Sequence, residues 1–337
     1  MNGSDVNQHF HTIKKEKTDN KREYLFDNYK VLLILMVVMG HFIEPCTDNN
    51  TFLYELKWII FSVHMPAFVF VSGYFSKKDP SMKKLVKGLV IPYFVYEIIY
   101  YLLYTFVLHK STGLYFARPK FSLWYLMALF VWKLATPYVK KIPFYLMISI
   151  GMGLIVGLFD IGNFLTIPRI VFFFPFFLAG TEFDSSIIIQ LRDRFRSAAA
   201  FAILTAMVTW LFVDNRHHNL SVKVFYGRQS YDEIGLDAID GILIRCACYL
   251  ISFILIYLLM FIVPAKKKRY SYLGQRTMPV YIFHGMIYSC LEYGTSILQK
   301  VESAQESAVL LTACVALVWV LGQKPFFELT NRISNLI

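Results

Sequence analysis

The sequence has little charge and few cysteines. Only 17% of its 337 residues are charged, 56% are hydrophobic and the mean hydropathy is +0.48. A soluble domain carries about a quarter charged residues, so a large-cored soluble globule is excluded. Five cysteines, Cys46, Cys246, Cys248, Cys290 and Cys314, are too few and too apolar in setting for a disulfide framework. Cys246 and Cys248 point to different helix faces and have no His pair nearby, so no metal is expected. The net charge of +11 comes without an Arg-Gly segment or a basic helix interleaved with aromatics, so nucleic acid is not an expected partner. Residues 1–24 lack the apolar core of a cleaved signal and read as a disordered, basic cytoplasmic tail. No clear internal repeat stands out.

What is present is a series of apolar runs of membrane-spanning length. Ten spans are expected, at 29–46, 58–76, 85–108, 121–139, 143–161, 168–182, 197–213, 239–263, 278–298 and 306–323. The fold class is therefore an all-α polytopic membrane protein, with a membrane domain over 25–325 and a short tail over 326–337. The sixth run is short and contains Pro175, consistent with a tilted or partial crossing. With the N-terminus inside, 23 of the 34 Lys and Arg residues fall in cytoplasmic segments and 9 outside. That bias predicts both termini in the cytoplasm. Lys133 and Arg245 remain within spans.

Ionisable groups inside spans are costly and mark function. The candidates are Lys30, His41, His64, Glu97, Arg169, Arg245 and His284. Lys30 and His41 are eleven residues apart, which on a helix is nearly the same face, about 20° off, with a rise of ~16 Å. Asp27 and Glu44 lie three residues beyond either end of this pair, so the first helix carries a polar stripe that must face a cavity or polar partners. His64 comes to a similar depth on the second span, and Glu97 to mid-membrane on the third. His suits general-base work near neutral pH, and a cation at the cytoplasmic mouth suits phosphate. Each group alone has a plainer reading: a buried His bonded to a backbone carbonyl, a snorkelling Lys, an Arg anchoring a helix end. Intramembrane His, Lys and Glu also suit a polytopic transporter or flippase for a glycan or anionic solute.

Several blocks carry a resemblance. REYLFDNYKVLLILMVVMGHFIEP at 22–45 holds Lys30, ten residues, then His41. FSVHMPAFVFVSGYF follows at 61–75, and KKLVKGLVIPYF at 83–94. Further blocks are SLWYLMALFVWKL at 122–134, PRIVFFFPFFLAG at 168–180 and PVYIFHG at 279–285. In this order they resemble the membrane acyltransferase-3 family, and the Gly-His-Phe-Ile-Glu-Pro ending of the first helix is similar to its fucose 4-O-acetylase-like branch. The resemblance implies a ten-helix membrane O-acetyltransferase. It would take acetyl-CoA as donor from the cytoplasm and modify a carbohydrate acceptor, a surface polysaccharide or lipid-linked glycan, within the lipid of a bacterial plasma membrane. It implies catalytic roles for His41, as general base or transient acyl carrier, and for Lys30, with His64 and Glu97 as further candidates. Lys30, Lys84, Lys87 and His284 are expected near the donor, and Glu44, Trp124 and Arg169 near the acceptor. Lys84 and Lys87 stand where the family usually has two arginines, which keeps charge but loses the bidentate fork.

Overall fold

The computed structural model describes residues 24–78, 81–194, 201, 203–205 and 220–335. Among these residues it is all-helical, without strands. Six helices are long and apolar enough to cross a membrane: α1 (Tyr24–Cys46), α2 (Thr51–Tyr74), α3 (Met82–Val107), α6 (Phe164–Glu182), α8 (Ala238–Ile262) and α10 (Ala304–Leu321). Between and after them lie α4 (Trp124–Val139), α5 (Tyr145–Leu158), α7 (Ser185–Arg194), α9 (Thr277–Gly294) and α11 (Lys324–Ser334). The chain is a multi-pass membrane protein. Most of the expected span at 197–213, and the tail before Tyr24, lie outside the described residues. The run containing Pro175 forms one unbroken helix from Ile167 to Glu182. The segment expected as a tail from 326 is helical through Ser334.

α2 is the most enclosed of the six helices and α10 the least. Bare apolar side chains such as Ile98, Phe106, Met147, Ile155, Leu250 and Trp319 face outward from α3, α5, α8 and α10. Such a surface suits lipid, where each helix satisfies its own backbone hydrogen bonds. α2 and α6 pack most closely, and two glycines permit it. A Cβ on Gly73 would meet the carbonyl carbon of Phe177 at 2.9 Å, and one on Gly180 would meet the Tyr74 amide nitrogen at 3.0 Å. Small residues allow such backbone approach between membrane helices.

Both ends of α1 are fastened. At the start, Asn28 donates to the carbonyls of Pro264 (2.7 Å) and Lys266 (3.0 Å) and accepts from Ser271 (2.6 Å). The Tyr29 hydroxyl donates to the Ile256 carbonyl at 3.0 Å. At the far end, α1 closes in a tight turn over Glu44–Cys46, with Pro45 where a free N–H is not needed. Asn50 then caps α2 by accepting from the Leu53 amide, and donates to Ser307 at 2.8 Å. These ties fix the axial position of every side chain that α1 presents inward.

Candidate active site

A cavity of about 620 Å³ runs along the inner face of α1 and touches Lys30, Ile34, Val37, His41 and Glu44 in turn. These residues follow the 3.6-residue period, so the polar stripe of α1 does face a cavity. The opposite walls come from α2, α4, α6, α9 and the segment 223–229.

At one end stand two cations. Lys30 pairs with Asp27 at 2.9 Å and lies 5.1 Å from the centre of the Phe75 ring. Asp27 is itself held by Gln275 at 2.8 Å. Lys133 of α4 lines the cavity and makes no ion pair among the described residues. Ser72 and Tyr125 share a 2.5 Å hydrogen bond on the wall beyond.

His41 sits further along, in an aromatic nest. Ring centres lie 4.7 Å away for Phe121, 5.5 Å for His284 and 6.1 Å for Tyr288. His284 is fully buried and does not line the cavity. Its Nδ1 lies 2.8 Å from the Val280 carbonyl. A carbonyl only accepts, so Nδ1 holds the proton and Nε2 holds a lone pair. That Nε2 is buried without a hydrogen-bond partner among the described residues. His64 is oriented alike, its Nδ1–H donating to Ile60 at 2.7 Å, and it lines the same cavity. His41 is within electrostatic reach of His284, His64, Arg169 and Lys57.

Phe121 has φ +46°, a left-handed conformation unusual for an aromatic residue. The cause of its placement lies one residue earlier. Glu97 of α3 accepts from the Lys120 backbone amide at 3.0 Å and pairs with its ammonium at 2.9 Å. Lys120 also donates to the Gly113 carbonyl at 2.9 Å. This buried pair bolts the loop before α4 to α3 and presents the Phe121 ring to His41.

The other end of the cavity holds Glu44, Arg169, Lys223, Tyr226, Arg228 and Gln229. Tyr226 donates to Glu44 at 2.6 Å and stacks on Phe61 at 4.9 Å. Lys57 lies 3.5 Å from the same carboxylate. Burial and the Glu44 charge push the Tyr226 hydroxyl far above its ordinary pKa, against the opposing pull of Arg169 and Arg228. It therefore stays a neutral donor to Glu44. Arg169 lies 4.8 Å over the Trp124 ring, which stacks on Phe173 at 5.5 Å.

The structure thus brings Lys30, His41, His64, Glu44, Trp124 and Arg169 to one cavity. Five of the sequence candidates do not line it. Glu97 turns to Lys120 and not to the cavity. Lys84 is exposed, and neither it nor Lys87 lines the cavity. His284 lies against His41 and away from the two-lysine end. Arg245 is also spent elsewhere, donating to the carbonyls of Gly153 and Gln229 and lying 4.5 Å over the Tyr231 ring. Sequence reasoning missed Lys133, although a lysine within a span was itself a signal. It also missed Phe121, Tyr226 and Arg228, whose positions come from loops.

A family model described as an acyltransferase domain, of the acyltransferase-3 type, matches residues 23–323. No curated protein and no solved structure matches the chain.

Proposed function

The chain belongs to the acyltransferase-3 family, and from that premise we propose that it moves acetyl from cytoplasmic acetyl-CoA to a hydroxyl of a cell-surface or lipid-linked glycan. One observation carries the reading: a single cavity joins the lysines Lys30 and Lys133 to His41 and continues to Glu44 and Arg169. The proposed frame is a ten-helix bundle in a bacterial plasma membrane, both termini cytoplasmic, of the fucose 4-O-acetylase-like branch. The two-lysine end then opens to the cytoplasm and the Glu44 end outward.

In this reading Lys30 and Lys133 hold donor phosphates at the inner mouth. From Lys30 to His41 the helix rises ~16 Å, a span suited to the slender arm that carries the thioester. The walls along that length are apolar, with Ile34, Val37, Met65 and Phe68, and exclude water from the thioester. A ring nitrogen of His41 takes the proton of the acceptor hydroxyl. The hydroxyl oxygen bonds to the acetyl carbon, the carbon–sulfur bond breaks, and the proton passes from His41 to the departing thiolate. The products are a glycan acetyl ester and the free thiol. Trp124 offers its ring face to the sugar.

The test gives purified protein acetyl-CoA and candidate glycans, with His41→Ala beside wild type. Acetyl ester should form only with intact His41; equal transfer by the variant would remove His41 from the chemistry. A cavity reaching both ends of α1 is also what a transporter needs. Glycan flux through proteoliposomes without acetyl-CoA would favour that second reading.

A further inference from the structure

The Glu44 end of the cavity has an unbalanced charge. Arg169, Lys223 and Arg228 line it, and Glu44 is the one carboxylate among the described lining residues. Glu44 is already engaged, by the Tyr226 hydroxyl at 2.6 Å and the Lys57 ammonium at 3.5 Å. None of the three cations makes an ion pair among the described residues. Among the described residues, the Trp124 ring face lies against the Arg169 guanidinium, 4.8 Å from its centre. Arg169 and Arg228 both act on Tyr226, and both line this end of the cavity. Arg169 is half-buried at this end while Lys223 and Arg228 stand exposed at its rim, and a neutral ligand does not offset their charge. An anion does, and two guanidinium forks match the oxygens of a carboxylate or phosphate.

We propose that the acceptor seated at this end carries a carboxylate or a phosphate, and that Arg169, Lys223 and Arg228 hold that anion. The proposal rests on the acyl-transfer reading above and narrows its acceptor to an acidic glycan or a sugar phosphate. Arg169 sets the geometry, because it is within electrostatic reach of both His41 and Glu44. An anion fixed on Arg169 and Arg228 places a hydroxyl of the same sugar toward His41. The anion is unchanged by the reaction. The buried Gln229 side-chain oxygen at the cavity wall, without a hydrogen-bond partner among the described residues, accepts a further sugar hydroxyl.

The experiment follows ester formation and acetyl-CoA consumption by the purified full chain on three matched acceptor panels: neutral methyl hexosides, methyl hexuronates and hexose 1-phosphates. Wild type, Lys223→Gln and Arg228→Gln are compared, with acetyl-CoA binding measured separately. The expected result is preferential acetylation of one anionic panel, and which one tells carboxylate from phosphate. Each variant should raise the KM of the anionic acceptor about tenfold, the size expected for one charge-assisted hydrogen bond, with the KM of acetyl-CoA unchanged. The anionic preference should also weaken with added salt. Equal use of neutral sugars would overturn the proposal, as would acetyl-CoA consumption with no anionic acceptor modified. A rise in the KM of acetyl-CoA in the variants would assign these cations to the donor and overturn it too. If acetyl-CoA is neither bound nor consumed, the acyl-transfer reading itself fails and the proposal falls with it.

Discussion

The rings of His41 and His284 lie 5.5 Å apart, inclined by 33°, and the nitrogen of His284 that carries the lone pair has no hydrogen-bond partner among the described residues. His41 borders the cavity and His284 is sealed behind it. One imidazole is thus placed to meet substrate, and the second to meet the first. Replacing His41 with Ala should lower kcat on the order of 10²- to 10⁴-fold, the usual worth of a positioned base. Replacing His284 with Phe should lower kcat about 10- to 100-fold through misorientation of His41, with little change in the KM of acetyl-CoA. Steady-state kinetics of both variants checks this; a His284→Phe enzyme as fast as wild type would sever the two rings.

Glu97 and Lys120 form a buried pair, and removing one partner leaves the other charge stranded. Glu97→Gln should cost about 3–5 kcal/mol of stability. The double variant Glu97→Gln with Lys120→Met should recover part of that loss, since no bare charge remains. Thermal unfolding in detergent measures both. Because Lys120 positions Phe121 beside His41, the double variant should still lose kcat.

Lys30 is held upright by Asp27 and stands at the cavity mouth. Lys30→Ala should raise the KM of the donor by about tenfold or more, the worth of a hydrogen bond to a charged group. Lys30→Arg should keep most of the affinity, because the charge is kept. Lys133→Ala should act in the same direction, whereas Lys84→Ala, off the cavity, should act weakly. Donor titration against each variant decides; a large effect at Lys84 with none at Lys133 would shift the donor to the outer surface of α3.

Tyr226 ties the segment 220–229 to α1 through Glu44. Tyr226→Phe removes that bond and leaves Glu44 with Lys57 alone. The expected result is an acceptor kcat/KM lower by about tenfold, with donor binding intact.

The crossing of α2 and α6 has no room at Gly73. Gly73→Leu should destabilise by at least the ~1–3 kcal/mol of an overpacked core, because the obstacle is a backbone carbonyl. Loss of the folded peak in size-exclusion chromatography would register it.

Much of this arrangement was legible in the residues. Lys30 and His41 share a face because helix periodicity alone requires it, and the flanking Asp27 and Glu44 marked that face as enclosed. His64 was placed in depth by counting from a helix end, and it lines the same cavity as His41. Depth does not give azimuth, and there the sequence fell short. Glu97 turns away from the cavity, since its partner lies 23 residues away in a loop with no periodicity. His284 met His41 through the packing of α9, which no local pattern encodes. The cations at 223 and 228 looked like ordinary loop charges, because the path that folds 220–229 over the cavity is set by Tyr226, Phe61 and Arg245 together.

A passage lined from Lys30 to Glu44 runs most of the length of a spanning helix, and that has a cost for the cell. A bilayer insulates because nothing hydrated crosses it, and an idle enzyme built around such a passage threatens to short-circuit the ion gradient. The insulation falls to the waist of the cavity, where Ile34, Val37, Met65 and Phe68 offer water no hydrogen bond. Making that waist polar, as in Val37→Asp, would convert a catalyst into a leak.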